Sequence, residues 1–289
     1  MITLEPIVIN PDSFLNQHCA LPPLPQVVMD IQTLINTADA NVENISGLIV
    51  TDPGLTAQIL KIVNSAYYGF RREISDIKFA VAYLGFNEIY NIVLSLSVVE
   101  TLNVHEVSEL DSFWEHSLYC ARCAKFLGKK FEPLLSPENL WLGAILHDIG
   151  KLIYFKFFPG HYKNIVEISE MSGRLYSDVE KDFDIPSSSY LGQLLCGRWN
   201  LPYIIKDACE SHSLGDIDDA MENDFKKIIC GANLVSILAT ASLSESVKQE
   251  LLDTLMKLLN CSKEDWLTLM GEVYDLRQIS KEVLIGEKK

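Results

Sequence analysis

His147 and Asp148 stand side by side in the stretch Leu140-Trp-Leu-Gly-Ala-Ile-Leu-His-Asp-Ile-Gly-Lys-Leu-Ile153. Imidazole and carboxylate together suit a divalent ion such as Zn, Mn, Fe or Mg, with water completing the shell. Adjacent helical residues point about 100° apart. The pair therefore shares an ion only if it lies between their directions and other helices supply more donors. The alternative is a buried histidine held by a backbone carbonyl, with Asp148 paired to Lys151 one turn on. Spacing alone leaves both readings open.

Further donors are sparse. His116 lies early in the preceding long helix. Consecutive helices on a short loop usually pack antiparallel, which can bring His116 toward His147. Cys120 and Cys123 form an i, i+4, i+7 row with His116. A zinc site wants a second pair, and a redox pair wants a strand-to-helix junction, so two buried thiols are the better reading. His212 is a candidate for the same space as His147. Arg71-Arg72 is a candidate anion or partner site in an acidic chain, or simply a solvated helix end. No glycine-rich phosphate loop and no nucleophile elbow is present.

The stretch around His147 is apolar on nearly its whole circumference, which predicts a buried helix. Ser136-Pro137-Glu138 opens it with a cap, a proline and a first-turn acid, and Pro159-Gly160 ends it. Asn41 and Asp52-Pro53 cap two earlier helices, and Ser75 caps a short one ending at Gly85. Ser112-Phe-Trp-Glu115 reads as a capping box opening the helix that carries His116. Later helices are expected over 161–171, 175–183, 203–212, 219–241, 245–259 and 263–284. No alternating strand pattern or internal repeat is found. The expected fold is all-α, with residues 1–13 as a tail, helical halves over 14–104 and 105–241, and a helical extension over 242–289.

Composition narrows the function. Hydrophobic residues make up 48% and charged residues 22% of 289, enough to bury a large core. A formal net charge of -15 argues against sequence-independent nucleic-acid binding, and favours proteins or small molecules as partners. No signal peptide is visible, and no apolar run is long enough to span a membrane. Seven scattered cysteines read as reduced thiols. A cytoplasmic protein without membrane association is the expectation.

Several segments together resemble a known family. Leu21-Pro-Pro-Leu-Pro25, the run from Asp52-Pro-Gly-Leu to Asn64-Ser-Ala-Tyr-Tyr-Gly69, and Ala82-Tyr-Leu-Gly85 are similar to the first half of an HDOD domain. Phe113-Trp-Glu-His-Ser117, Gly143 to Lys151, and Arg198-Trp-Asn-Leu-Pro202 are similar to its second half. The resemblance spans roughly 14 to 240. It implies an HD-domain-like helical bundle with an N-terminal helical subdomain, related to HD-type metal phosphohydrolases including the HD-GYP enzymes that hydrolyse cyclic di-GMP. It also implies a bacterial signal-transduction module that acts through partner proteins and has lost catalysis.

Set against the metal pattern of those hydrolases, His116, His147 and Asp148 match the first three ligands. Asn233 stands where the enzymes carry Asp, and Ser188 where they carry a further His. His212 keeps one of a paired-histidine site, with Ser211 as its neighbour. The resemblance therefore implies one divalent ion at most. Arg71, Arg72, Lys151 and His212 remain as binding candidates. The alternative function is a metal-dependent phosphohydrolase with a degenerate site, acting on a nucleotide or cyclic dinucleotide; a nucleotide bound without turnover is a third possibility.

Overall fold

The computed structural model describes residues 21–285, apart from 65–67, 69, 71, 103–106 and 211–216. Sixteen helices and no strand lie among the described residues, so the fold is all-α. Contacts divide the chain into two compact units, one of Pro22–Asn103 and one built on Val104–Leu276. The end of the last helix, from Arg277, groups with the first.

The first unit contains α1 (Gln26–Ile35), α2 (Val42–Val50), α3 (Pro53–Val63), α4 (Ile77–Leu84) and α5 (Phe86–Leu102). Asn41 Oδ1 accepts from Asn44 N, and Asp52 Oδ1 from Leu55 N, as N-cap chemistry requires. The cap of α4 is Asp76, one residue beyond the expected Ser75; its Oδ1 accepts from Lys78 N. An ionised carboxylate suits the positive end of a helix better than a hydroxyl. Gly85 at φ +85 ends α4, where a side chain would be strained. Ile31, Ile45, Ile49, Ile59, Ile89 and Ile92 are fully buried and form the core.

In the second unit α6 (Val107–Phe131) carries His116. It begins five residues before Ser112, so the expected capping box does not start it. Nothing in 107–111 is a proline or glycine, and the helix propagates through the serine, which is exposed. The next elements are α7 (Pro137–Leu146), α8 (Ile149–Phe157), α9 (Pro159–Ser172), α10 (Tyr176–Glu180), α11 (Ser188–Arg198) and α12 (Tyr203–Glu210). Ser136 caps α7, and all seven residues from Leu140 to Leu146 are buried. Gly173 at φ +65 terminates α9.

The helix expected over 219–241 is two helices, α13 (Ile217–Met221) and α14 (Asp224–Thr240). Asn223 separates them: its Oδ1 accepts from Phe225 N and Lys226 N, which restarts the chain. α15 (Glu245–Leu258) and α16 (Lys263–Ile285) follow. They carry no motif, yet Leu251, Leu255, Trp266, Leu269 and Val273 are buried. Tyr119 Oη on α6 donates to the Val273 carbonyl at 3.0 Å. Helix α6 packs on α7 and α14, α8 on α11, and α12 on α7 and α11. The facing sides of α6, the α7–α8 junction and α14 enclose the polar cluster.

Candidate metal centre

The buried stretch expected as one helix is two, and the break falls on His147 and Asp148. His147 ends α7, and Asp148 (φ -102°, ψ 14°) precedes α8. The His147 ring turns back on its own helix, with Nδ1 2.6 Å from the Ala144 carbonyl oxygen. That oxygen can only accept, so Nδ1 carries the ring proton and Nε2 presents a lone pair. The break also brings His147 Nε2 within 3.4 Å of Asp148 Oδ2, so the two side chains converge on one point.

Gly150 sets where α8 can lie. A Cβ there would stand 1.8 Å from the Ser188 carbonyl oxygen and 2.6 Å from Gly192 N. Only glycine lets the start of α8 approach the backbone of α11 this closely. The approach brings Lys151 and Ser188 to one wall of the site.

His116 reaches the cluster from α6. Its Nε2 lies 3.2 Å from His147 Nε2 and 3.4 Å from Asp148 Oδ2. Ser236 Oγ on α14 donates to the His116 carbonyl at 3.1 Å and lies 3.0 Å from His116 Nδ1. With its proton so used, the hydroxyl accepts from Nδ1–H and leaves Nε2 as a second lone pair. Asn233, also on α14, places Oδ1 3.2 Å from His147 Nε2. Both ring orientations are thus fixed by outer partners, as in metal-ligating histidines.

The donor set fits one ion. A tetrahedral ion with arms of about 2.05 Å has donor–donor edges of about 3.3 Å. The separations here are 3.2, 3.4, 3.4 and 3.2 Å. His116, His147 and Asp148 form the group of metal-ligating side chains found among the described residues, and Asn233 adds a neutral oxygen. Bound there, a divalent ion would act as a Lewis acid toward an oxygen ligand. His147, Asp148 and Asn233 are buried, while the His116 side chain is 15% exposed.

The protein also supplies a cation of its own. Lys151 Nζ donates to Asp148 Oδ2 at 2.6 Å, and lies 5.0 Å from the ring centre of Tyr176. Ser188 takes no part in the cluster. Its backbone N–H and Oγ both donate to Glu180, at 2.9 and 3.2 Å. Burial pushes the Glu180 carboxyl up to about 7, although Lys151 and the two Ser188 bonds pull the other way. Burial likewise raises the phenols of Tyr154 and Tyr176, which stay protonated.

A cavity of about 180 Å³ adjoins the cluster, lined by His116, Lys151 and Asn233 and also by Arg174, Ser177 and Leu243. Of the other candidates, Arg72 is exposed in the first unit. Arg71, His212 and Ser211 lie outside the described residues. Cys120 and Cys123 are buried free thiols with raised pKa, Cys123 to about 12. Inert packing groups behave this way, and reactive thiols do not. Sequence reasoning passed over Glu180 and Ser236. Nothing local marks either one, because an isolated acid in a five-residue helix looks like a solvated side chain.

Comparison with known proteins agrees with this architecture. The HDOD domain model matches residues 21–214. A protein of Treponema pallidum (strain Nichols), itself uncharacterized, is 24% identical over 192 residues, 66% of this chain and 37% of that protein. The chain thus spans little more than a third of that relative's length. Among solved structures, an HDOD domain protein of unknown function from Geobacter sulfurreducens superposes with a TM-score of 0.74 at 22% identity, covering 94% of this chain and 96% of its own. A Shewanella amazonensis SB2B protein, provisionally named a metal-dependent phosphohydrolase, gives 0.65 at 22% identity over 94% and 95%. A Marinobacter aquaeolei VT8 protein, provisionally named a signal transduction protein, gives 0.66 at 19% identity over 92% and 58%. At these identities the superpositions speak for the fold, and the domain match across most of the chain makes it a member of the HDOD family.

Proposed function

We propose that this chain is a non-catalytic HDOD regulatory module that acts through a protein partner. One observation carries the reading: the carboxylate that would serve a metal is already neutralised by Lys151 at 2.6 Å. Metal-assisted phosphodiester hydrolysis needs an activated water and strong charge neutralisation at the phosphoryl group. Asn233 contributes a dipole where an anionic ligand would hold a second charge, and Ser188 is engaged with Glu180. These features support one ion at most.

The first unit offers a surface suited to a protein partner. Asn64 clamps the loop after α3 by bonding both the N–H and the carbonyl of Ile74 at 2.7 Å. Tyr68 Oη, in the same loop, donates to Glu88 on α5 at 2.9 Å. Phe70 packs edge-on against Tyr83, and Tyr83 stacks on Phe79. Phe79 and Tyr83 are 51% and 65% exposed, one turn apart on α4. Exposed aromatics on a braced surface are characteristic of protein interfaces.

The donor geometry favours a second reading, a residual metal-dependent phosphohydrolase. Metal analysis of the purified chain, with turnover assays on bis(4-nitrophenyl) phosphate and a cyclic dinucleotide, separates the two. The regulatory reading expects no turnover above that of His147→Ala at any divalent metal concentration. Turnover that His147→Ala abolishes would establish the enzyme.

A further inference from the structure

The cavity beside the cluster is out of keeping with the chain that forms it. The formal net charge of the protein is -15. Yet the charged side chains lining the cavity are Lys151 and Arg174, with His116 beside them, and no carboxylate is among its described lining residues. Leu175, Leu234 and Ile237 give the cavity an apolar side, and Ser177 adds a hydroxyl.

Both cations are held by carboxylates that do not line the cavity. Lys151 is fixed by Asp148 and lies over the Tyr176 ring. Arg174 Nη1 donates to Asp182 Oδ2 at 2.5 Å, and Nη2 to Asp182 Oδ1 at 3.1 Å and the Asp178 carbonyl at 3.0 Å. Lysine has three donors and arginine five, so each keeps N–H groups beyond these bonds. Cations held in place by their own partners lose little freedom on meeting an anion. The volume, about 180 Å³, lies below the range of pockets that hold drug-sized ligands.

From this we infer that the cavity is a binding site for a compact organic anion. The anion's carboxylate or phosphate head accepts from Lys151 and Arg174, and its short apolar body lies against Leu234 and Ile237. This rests on the regulatory reading in one respect: the anion is held and released unchanged.

Calorimetric titration of the full chain, as purified and again after dialysis against EDTA, tests the site. The probes are phenyl phosphate and benzoate, with inorganic phosphate and benzyl alcohol as the head-only and body-only controls. At least one organic anion binds one-to-one, and both controls bind at least ten-fold more weakly. Arg174→Met, whose partner bonds are at the surface, weakens that binding at least five-fold, and Ser177→Trp blocks it; unchanged thermal midpoints show both variants folded. Benzyl alcohol binding as tightly as the anions, binding untouched in both folded variants, or binding lost with EDTA would each overturn the site. Absence of heat from both anions would also overturn it and leave the regulatory reading intact. Release of phenol from phenyl phosphate would instead refute the regulatory reading while the site stood.

Discussion

Lys151 Nζ and Asp148 Oδ2 meet at 2.6 Å across the first turn of α8, with the carboxylate 1% and the lysine 22% exposed. The same oxygen stands 3.4 Å from both histidine Nε2 atoms. One carboxylate thus serves an internal cation and a set of metal donors together. Removing it leaves Lys151 without this partner and two imidazoles without an anion. Asp148→Ala should cost about 3 kcal/mol, the low end for breaking a buried pair because Lys151 reaches solvent. Urea unfolding in EDTA checks this; an unchanged midpoint would show that the pair contributes nothing.

Placing a carboxylate on α14 should have opposite effects with and without metal. Asn233→Asp brings a second anion to His147 Nε2, now 3.2 Å from the amide oxygen. In EDTA the two carboxylates repel, and the thermal midpoint falls. With zinc added the midpoint recovers, and affinity rises on the order of ten-fold or more, since a charged oxygen is the better ligand. Equal zinc affinities for wild type and variant would remove Asn233 from the donor set.

Gly150 is fixed by geometry. With the Ser188 oxygen 1.8 Å from an added Cβ, the obstacle is backbone and cannot rotate away. Gly150→Ala should separate α8 from α11 and cost several kcal/mol, with loss of the cooperative transition in circular dichroism. Gly160→Ala, where an added Cβ meets nothing within 4 Å, is the matched control and should stay near wild type.

Glu180 gives stability a pH dependence of definite sign. Its carboxyl is raised by burial from 4.5 to about 7 in the folded chain. Below the unfolded pKa both states are protonated, and the group adds no slope. As pH rises from about 4.5 to about 7, the unfolded state ionises first, and stability falls by roughly 3 kcal/mol in all. Above the folded pKa the effect is complete and flat. Glu180→Gln removes this slope, so the variant should gain on wild type steadily between pH 5 and 7 in urea unfolding. Parallel curves for the two proteins would show that Glu180 titrates normally.

Much of the helical frame was legible in the residues. The caps at Asn41, Asp52 and Ser136 are local side-chain chemistry, and the stop at Gly85 is local backbone freedom. They depend on a few neighbouring residues and read correctly without tertiary information. The all-apolar circumference of Leu140–Leu146 likewise foretold burial. Misplaced boundaries arose where two local signals competed, Asp76 over Ser75 and Asn223 inside an apparently continuous run.

The sequence by itself determined the all-α class and named the candidate donors His116, His147 and Asp148. Tertiary structure alone decided what those side chains face. The break between α7 and α8, the Gly150 approach to α11 and the Ser236 support from α14 join residues up to 120 positions apart. Such contacts leave no periodic trace, because local propensity and capping reach only a few residues along the chain. The meeting of the metal donors, the Lys151 pair and the cation-lined cavity follows from packing among helices far apart in the chain.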